Sequence, residues 1–165
     1  MEHLWAPWRK AYVQTTTSPL TDIFASISRS DEDVKNHVLV RGKSCFGLLN
    51  AYPYNTAHCL IVPYKVTAEL EELSESELNE TMTVLMTLKK AISKVFKPHG
   101  FNIGLNIGSA AGAGIAEHLH WHLVPRWRSD SNFMTTVGDV RVHPSDLDSV
   151  YRLLKEVLNC EVLSC

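Results

Sequence analysis

Between His37 and Val66 the apolar residues come in short runs broken by Gly, Pro and Asn, "HVLVRGKSCFGLLNAYPYNTAHCLIVPYKV". This rhythm predicts three strands, about 37–41, 45–50 and 58–63, paired antiparallel through short turns. The period then lengthens. Ser74 and Glu77 have capping-box spacing, and Leu78, Met82, Leu85, Ile92 and Val95 keep one helical face apolar up to Pro98, which predicts one long helix. "FNIGLNIG" at 101–108 and "HLHWHLVPR" at 118–126 read as a fourth and a fifth strand, with the small-residue loop "SAAGAGIAE" between them. Pro144 and Ser145 open an amphipathic pattern that predicts a terminal helix over about 144–160. Residues 22–36, "DIFASISRSDEDVKN", read as a polar loop. Strands and helices mix without a regular βαβ repeat, so the fold class is α+β, an antiparallel sheet of about five strands with one long helix and a C-terminal helix. No repeat or linker divides the chain. It reads as one domain, 1–165, with an N-terminal segment 1–36, a core 37–135 and the terminal helix.

Composition narrows the class. The 165 residues suffice for a sizeable core without covalent staples. Sixteen Lys plus Arg against eighteen Asp plus Glu leave a formal charge of −2, which gives no broad basic field for a nucleic-acid backbone. Cys45, Cys59, Cys160 and Cys165 lack C-x-x-C spacing, and the opening "MEHLWAPWRK" has no apolar core of a secretory signal, so a cytoplasmic protein with reduced thiols is expected. No apolar run approaches the roughly 18 residues of a membrane span. Cys59 reads as a small buried hydrophobe. "RGKS" at Arg41–Ser44 fails as a phosphate-binding loop, because His37 stands where the first glycine is required.

The chemistry concentrates in "EHLHWHLVPRW", Glu117–Trp127. In an extended strand His118, His120 and His122 share one face, while Leu119, Trp121 and Leu123 share the other and supply a core contact. Three readings are open. A structural role requires a partner for each buried imidazole. A metal site is compatible with histidines at i and i+2, but needs a further ligand and a hydrogen-bond acceptor behind each ring; His58 is the one other histidine placed near. A nucleophilic role uses an unprotonated imidazole nitrogen to attack phosphorus while the ring's other nitrogen is anchored. The preceding "GSAAGAG" suits the last reading. Gly108, Gly112 and Gly114 let the backbone approach a ligand, and successive N–H groups there can form an anion-holding concavity.

"HLHWHLV", "LNAYPYNTAHCLIVPYK" and "GLNIGSAAGAG" together resemble the histidine triad (HIT) superfamily of nucleotide hydrolases and transferases over about residues 37–135. "LWAPWR", "VPRW" and "DSNFM" further resemble the branch that includes bacterial diadenosine tetraphosphate phosphorylases. The resemblance implies that His120 is the nucleophile, that His122 contacts the transferred phosphate, that His118 holds the hydrogen-bond network and that His58 stands beside the triad. It also implies that Asn50 lies near the ribose, and Asn106 and the backbone of Gly112, Ala113 and Gly114 near the phosphates. Trp127 is a candidate base-stacking residue; Trp121 is read as core. A homodimer, a small-molecule nucleotide substrate and no metal in the chemical step are implied too, with no nucleic-acid or membrane partner.

Two departures shape the expected reaction. Gly114 stands where the hydrolase branch carries a glutamine four residues before the first histidine, which leaves a backbone-lined anion pocket suited to inorganic phosphate as second acceptor. Phosphorolysis of diadenosine tetraphosphate to ADP and ATP is therefore favoured; hydrolysis to AMP plus ATP, hydrolysis of adenosine phosphoramidates and a non-catalytic nucleotide-binding module are the alternatives. Asp22 and Ala25 replace the C-x-x-C that many relatives carry, and Val66 replaces the histidine that often follows "PY". A structural zinc is not expected, and Trp5, Trp8 and Tyr12 are expected to anchor the N-terminal segment by packing.

Overall fold

The computed structural model describes residues 22–128, 130 and 146–162. It begins with a short helix α1 (Ile23–Ser28), followed by strands β1 (Val38–Arg41), β2 (Cys45–Leu49) and β3 (Cys59–Pro63). The long helix α2 (Glu75–Phe96) precedes β4 (Gly100–Leu105) and β5 (Trp121–Arg126), and α3 (Leu147–Val162) closes the order. Trp5, Trp8, Tyr12, Pro144 and Ser145 lie outside the described residues.

The capping-box reading of α2 holds atom for atom: Ser74 Oγ accepts from the Glu77 N–H, and the Glu77 carboxylate accepts from the Ser74 N–H. The helix stops where Lys97 turns left-handed ahead of Pro98, a position that disfavours further α conformation. Its buried stripe is Thr81, Val84, Leu85, Leu88, Ala91 and Ile92. Met82, placed on the apolar face by the sequence pattern, is exposed, because the stripe runs through its neighbour Thr81.

Five strands form one antiparallel sheet in the order β1-β2-β3-β5-β4. The side-chain alternation of the strands sorts their residues into two apolar clusters. Leu49, Cys59, Ile61, Leu119, Trp121 and Leu123 join the core with α2 and α3. Val38, Phe46, Leu48, Leu60 and Val62 join Phe24 of α1 in the other cluster. Helix α2 lies close on β2 at Gly47, where a Cβ would stand 2.6 Å from Leu88 Cδ1. A larger residue at 47 would have to push the Leu88 side chain aside.

The structure departs from the sequence reading at four places. The fourth strand ends at Leu105 and the fifth starts at Trp121, its ladder partner; just ahead of it the Leu119 N–H donates to the Thr67 carbonyl instead of to a strand. The stretch read as a polar loop contains α1, capped by Asp22 Oδ1, which accepts from Phe24 N and Ala25 N at 3.0 and 3.1 Å. Helix α3 begins after Asp146, whose Oδ1 accepts from Ser149 N at 2.8 Å.

Arg41 fixes the far end of α1. Its guanidinium donates to the carbonyls of Ile27, Ser28 and Ser30 and to Asp33. The neighbouring turn amides of Lys43 and Ser44 donate to the Glu80 carboxylate at 2.6 and 2.7 Å. "RGKS" is thereby committed to internal bonds. No helix among the described residues is long and apolar enough to cross a membrane.

Candidate active site

Strand β3 is the spine of the site. Its pairing with β5 sets Leu60 opposite His122 and Ile61 opposite Trp121, so His58 and the histidine row come to the same face of the sheet. His58, His118 and His120 are buried and His122 is half-buried. Burying four imidazoles is costly unless each is hydrogen-bonded, and the bonds present assign the ring hydrogens.

The outer pair is read from the backbone inward. The Tyr54 N–H donates to His58 Nδ1 at 3.0 Å, with the Asn50 amide 3.4 Å from the same nitrogen. His58 Nδ1 is therefore the acceptor, and its Nε2–H donates to His122 Nδ1 across 2.9 Å. In turn His122, in its neutral form, carries its hydrogen on Nε2. Burial, then the neighbouring His122 and His120, pushes the His58 pKa down to about 3, which keeps the His58 ring neutral near pH 7. Tyr54 stacks on His122 with the ring planes 11° apart.

The inner pair is built differently. His118 Nε2–H donates to the Pro63 carbonyl at 2.8 Å, and its Nδ1 lies 2.8 Å from Asp22 Oδ2. The His118 carbonyl accepts from His120 Nδ1 at 2.8 Å. With a hydrogen fixed on Nδ1, a neutral His120 keeps its lone pair on Nε2. Burial lowers the His120 pKa and so favours that neutral form; the bond to the His118 carbonyl and the charge of Asp22 act in the opposite direction, and His118 in the same one. Phe24 packs edge-on against His118 and tilts over His120, at centroid distances of 5.7 and 5.1 Å. Such an arrangement offers one unprotonated nitrogen, on His120, beside one hydrogen-bearing nitrogen, on His122, with the two rings 5.1 Å apart. That is the equipment for attack on an electrophile whose developing charge needs a donor.

The remaining residues singled out from sequence fall in three places. Asn50 is at the His58 end, where its Oδ1 also accepts from Tyr52 N. Asn106 donates to the Gly112 carbonyl at 3.4 Å and ties the glycine loop together. Within that loop Gly108 and Gly112 adopt φ of 78° and 88°, which favours glycine. Its amides do not line up as the sequence reading expects. Gly112 N donates to Ser109 O and Ala113 N to Gly108 O, closing turns inside the loop; among the described residues Gly114 N takes no part in these turns. Trp127 stands apart from the histidines. It lies five residues beyond His122, about 16 Å along an extended chain, and its indole N–H donates to the Phe96 carbonyl at the end of α2. Trp121 is in the core, as expected.

Neither strand cysteine has nucleophilic character. Burial raises the Cys45 thiol to about 11 and pushes Cys59 further in the same direction. Asp22, Phe24, Tyr54 and the Pro63 carbonyl are the site groups that sequence reasoning missed. For Asp22 a signal existed, since Asp directly before "IFAS" has the form of a helix N-cap. Pro63 contributes its carbonyl, and Tyr54 its amide as well as its ring; no residue type announces such backbone contacts.

A five-stranded antiparallel sheet flanked by helices, with a hydrogen-bonded histidine cluster on its second face, defines a class of proteins that present aligned imidazoles from one sheet face. Comparison with known proteins narrows it. The HIT domain family model matches residues 31–129. A Mycobacterium tuberculosis protein described as AP-4-A phosphorylase is 40% identical over 163 residues, covering 93% of this chain and 83% of that protein. An asymmetrical bis(5'-nucleosyl)-tetraphosphatase of Schizosaccharomyces pombe is 32% identical over 119 residues, covering 72% of this chain and 65% of its own. The fold is also that of a zinc-bound histidine triad family protein from Mycobacterium smegmatis, with a TM-score of 0.67 at 23% identity over 87% of this chain and 96% of that one. This chain belongs to the HIT domain family. The zinc is that neighbour's; here no group of three or more His, Cys, Asp or Glu among the described residues is placed to hold a metal ion.

Proposed function

We propose that the protein is an enzyme acting on dinucleoside polyphosphates, and that it cleaves diadenosine tetraphosphate by phosphorolysis to ADP and ATP through a covalent nucleotidyl-His120. Family membership and the activities named for the two relatives support the substrate class. One observation carries the mechanism: the 2.8 Å bond from His120 Nδ1 to the His118 carbonyl, on a buried ring, leaves Nε2 with the lone pair.

In the first step Nε2 attacks the α-phosphorus, a nitrogen–phosphorus bond forms, and the bond from phosphorus to the bridging oxygen breaks with its electron pair on departing ATP. The His122 Nε2–H donates to an oxygen of the transferred group as charge builds there. In the second step an oxygen of inorganic phosphate attacks the same phosphorus, the nitrogen–phosphorus bond breaks, and the lone pair returns to His120 as ADP leaves. Asn50, Asn106 and the Gly114 amide are assigned to ribose and phosphate contacts, the expected homodimer belongs to the same proposal, and no cofactor beyond inorganic phosphate is invoked. Hydrolysis is the second reading, favoured by the tetraphosphatase description of the fission-yeast relative.

Incubating the protein with diadenosine tetraphosphate, with and without inorganic phosphate, and separating the nucleotides distinguishes the two. ADP plus ATP only in the presence of phosphate is the expected result. AMP plus ATP in both samples replaces phosphorolysis with hydrolysis.

A further inference from the structure

Helix α1 is tied to the histidine cluster more tightly than a six-residue surface helix needs for its own stability. Its N-terminal cap and its contact with the triad are the same side chain. Asp22 Oδ1 accepts the Phe24 and Ala25 amides, while Oδ2 lies 2.8 Å from Nδ1 of a fully buried His118. The other ring nitrogen of His118 donates to the Pro63 carbonyl, an atom that only accepts. Two acceptors flank the ring, so with a hydrogen on each nitrogen it donates at both ends, which fixes its orientation and the backbone that carries it. That backbone matters because the His118 carbonyl fixes the His120 ring through Nδ1.

Two further contacts make α1 a rigid frame. Phe24, two residues after Asp22, is buried against both rings, and Arg41 occupies the carbonyls of Ile27, Ser28 and Ser30 at the opposite end of the helix. Among the described residues, the charged and titratable groups in contact with His118 or His120 are Asp22 on α1 and His122 on β5, with His58 behind His122. Asp22 is the one acid among them.

We infer that Asp22 is a positioning residue for nucleotidyl transfer: its carboxylate holds the His118 ring and, through the His118 carbonyl, keeps the hydrogen of His120 on Nδ1 so that Nε2 faces the reacting phosphorus. The inference rests on His120 being the nucleophile. Asp22 touches no reacting atom. It acts at a distance of two hydrogen bonds, as outer-sphere partners of catalytic and metal-bound histidines do.

Asp22→Asn and Asp22→Ser separate this role from helix capping. Both side chains are good N-caps, so α1 is retained, but neither supplies a carboxylate to His118. With diadenosine tetraphosphate as substrate, kcat is expected to fall about 10- to 100-fold in both variants with KM little changed. In 1H–15N spectra of the histidine rings, His120 is expected to show one Nδ1–H tautomer in the parent and a tautomer mixture in the variants. Parent-like kcat, a loss confined to KM, or an unchanged His120 ring spectrum overturns the inference. Absence of turnover in the unsubstituted protein counts against the reaction proposed above, and the ring spectra still decide whether Asp22 sets the His120 tautomer.

Discussion

On one side of the sheet Ile61, Leu119, Trp121 and Leu123 meet the long helix through apolar contact. On the other, the rings of His58, His118, His120 and His122 meet one another, Asp22, Phe24 and backbone atoms at hydrogen-bond distances. Both faces are built by the same strands from alternating positions. The helix face gains from removing apolar area from water and tolerates changes of similar shape. On the histidine face a single lost partner leaves a buried polar atom unsatisfied or rotates a ring, so it is sensitive to chemistry more than to volume.

The sharpest separation comes from His120→Ala. Turnover of diadenosine tetraphosphate is expected to drop by at least about 10³-fold, equivalent to about 4 kcal/mol of barrier, while folding is retained. Stopped-assay nucleotide analysis alongside thermal melting checks it, and retained turnover would remove the covalent step. Leu88→Ala addresses the helix face. Leu88 is fully buried beneath Gly47, and its truncation is expected to destabilise the fold by about 3–4 kcal/mol, with kcat per folded molecule unchanged. Urea unfolding with parallel assays reads both. If kcat falls as well, the two faces are coupled.

A more gradual effect, small at each pH step, is expected from acid. The folded His58 is held near pKa 3 against an ordinary value of 6.5. The unfolded chain therefore binds a proton that the folded one refuses, and stability is lost as pH falls through the window from about 6.5 to about 3. The contribution of this group is about 1.4 kcal/mol per pH unit at most. Burial lowers His120 too, with the same sign. His58→Asn removes the group that titrates, so its unfolding free energy should depend on pH less steeply than the parent's over that window. Equal slopes would place the acid sensitivity in other groups.

What could be read from sequence follows the same division. The capping box of α2, the alternation of the strands and the histidine row are patterns among neighbours, and each names its own element. The function of α1 was hidden because six residues give only a single apolar pair, Phe24 and the partly buried Ile27, and because Asp22 finds His118 across 96 residues. The glycine loop was legible as a special backbone, from its small residues, but not as to where its amides point. Gly112 and Ala113 turn theirs inward, a choice made by turn geometry that residue types leave open. Trp127 was ambiguous for a similar reason: an aromatic beyond a strand end can stack or pack, and the Phe96 carbonyl supplies a partner for its indole.

The turn between β1 and β2 carries a lesson about motifs that resemble anion sites. Two consecutive amides, Lys43 and Ser44, converge there as they would on a bound oxyanion, and the Ser44 hydroxyl joins them, yet the oxyanion is the chain's own Glu80, delivered from the first turns of α2. A tethered carboxylate competes with dissolved anions at an effective concentration in the millimolar range or above. The turn is thus a lock whose key is already cast into the helix: it sets the distance between hairpin and helix, and a solution anion must displace a resident carboxylate to enter it.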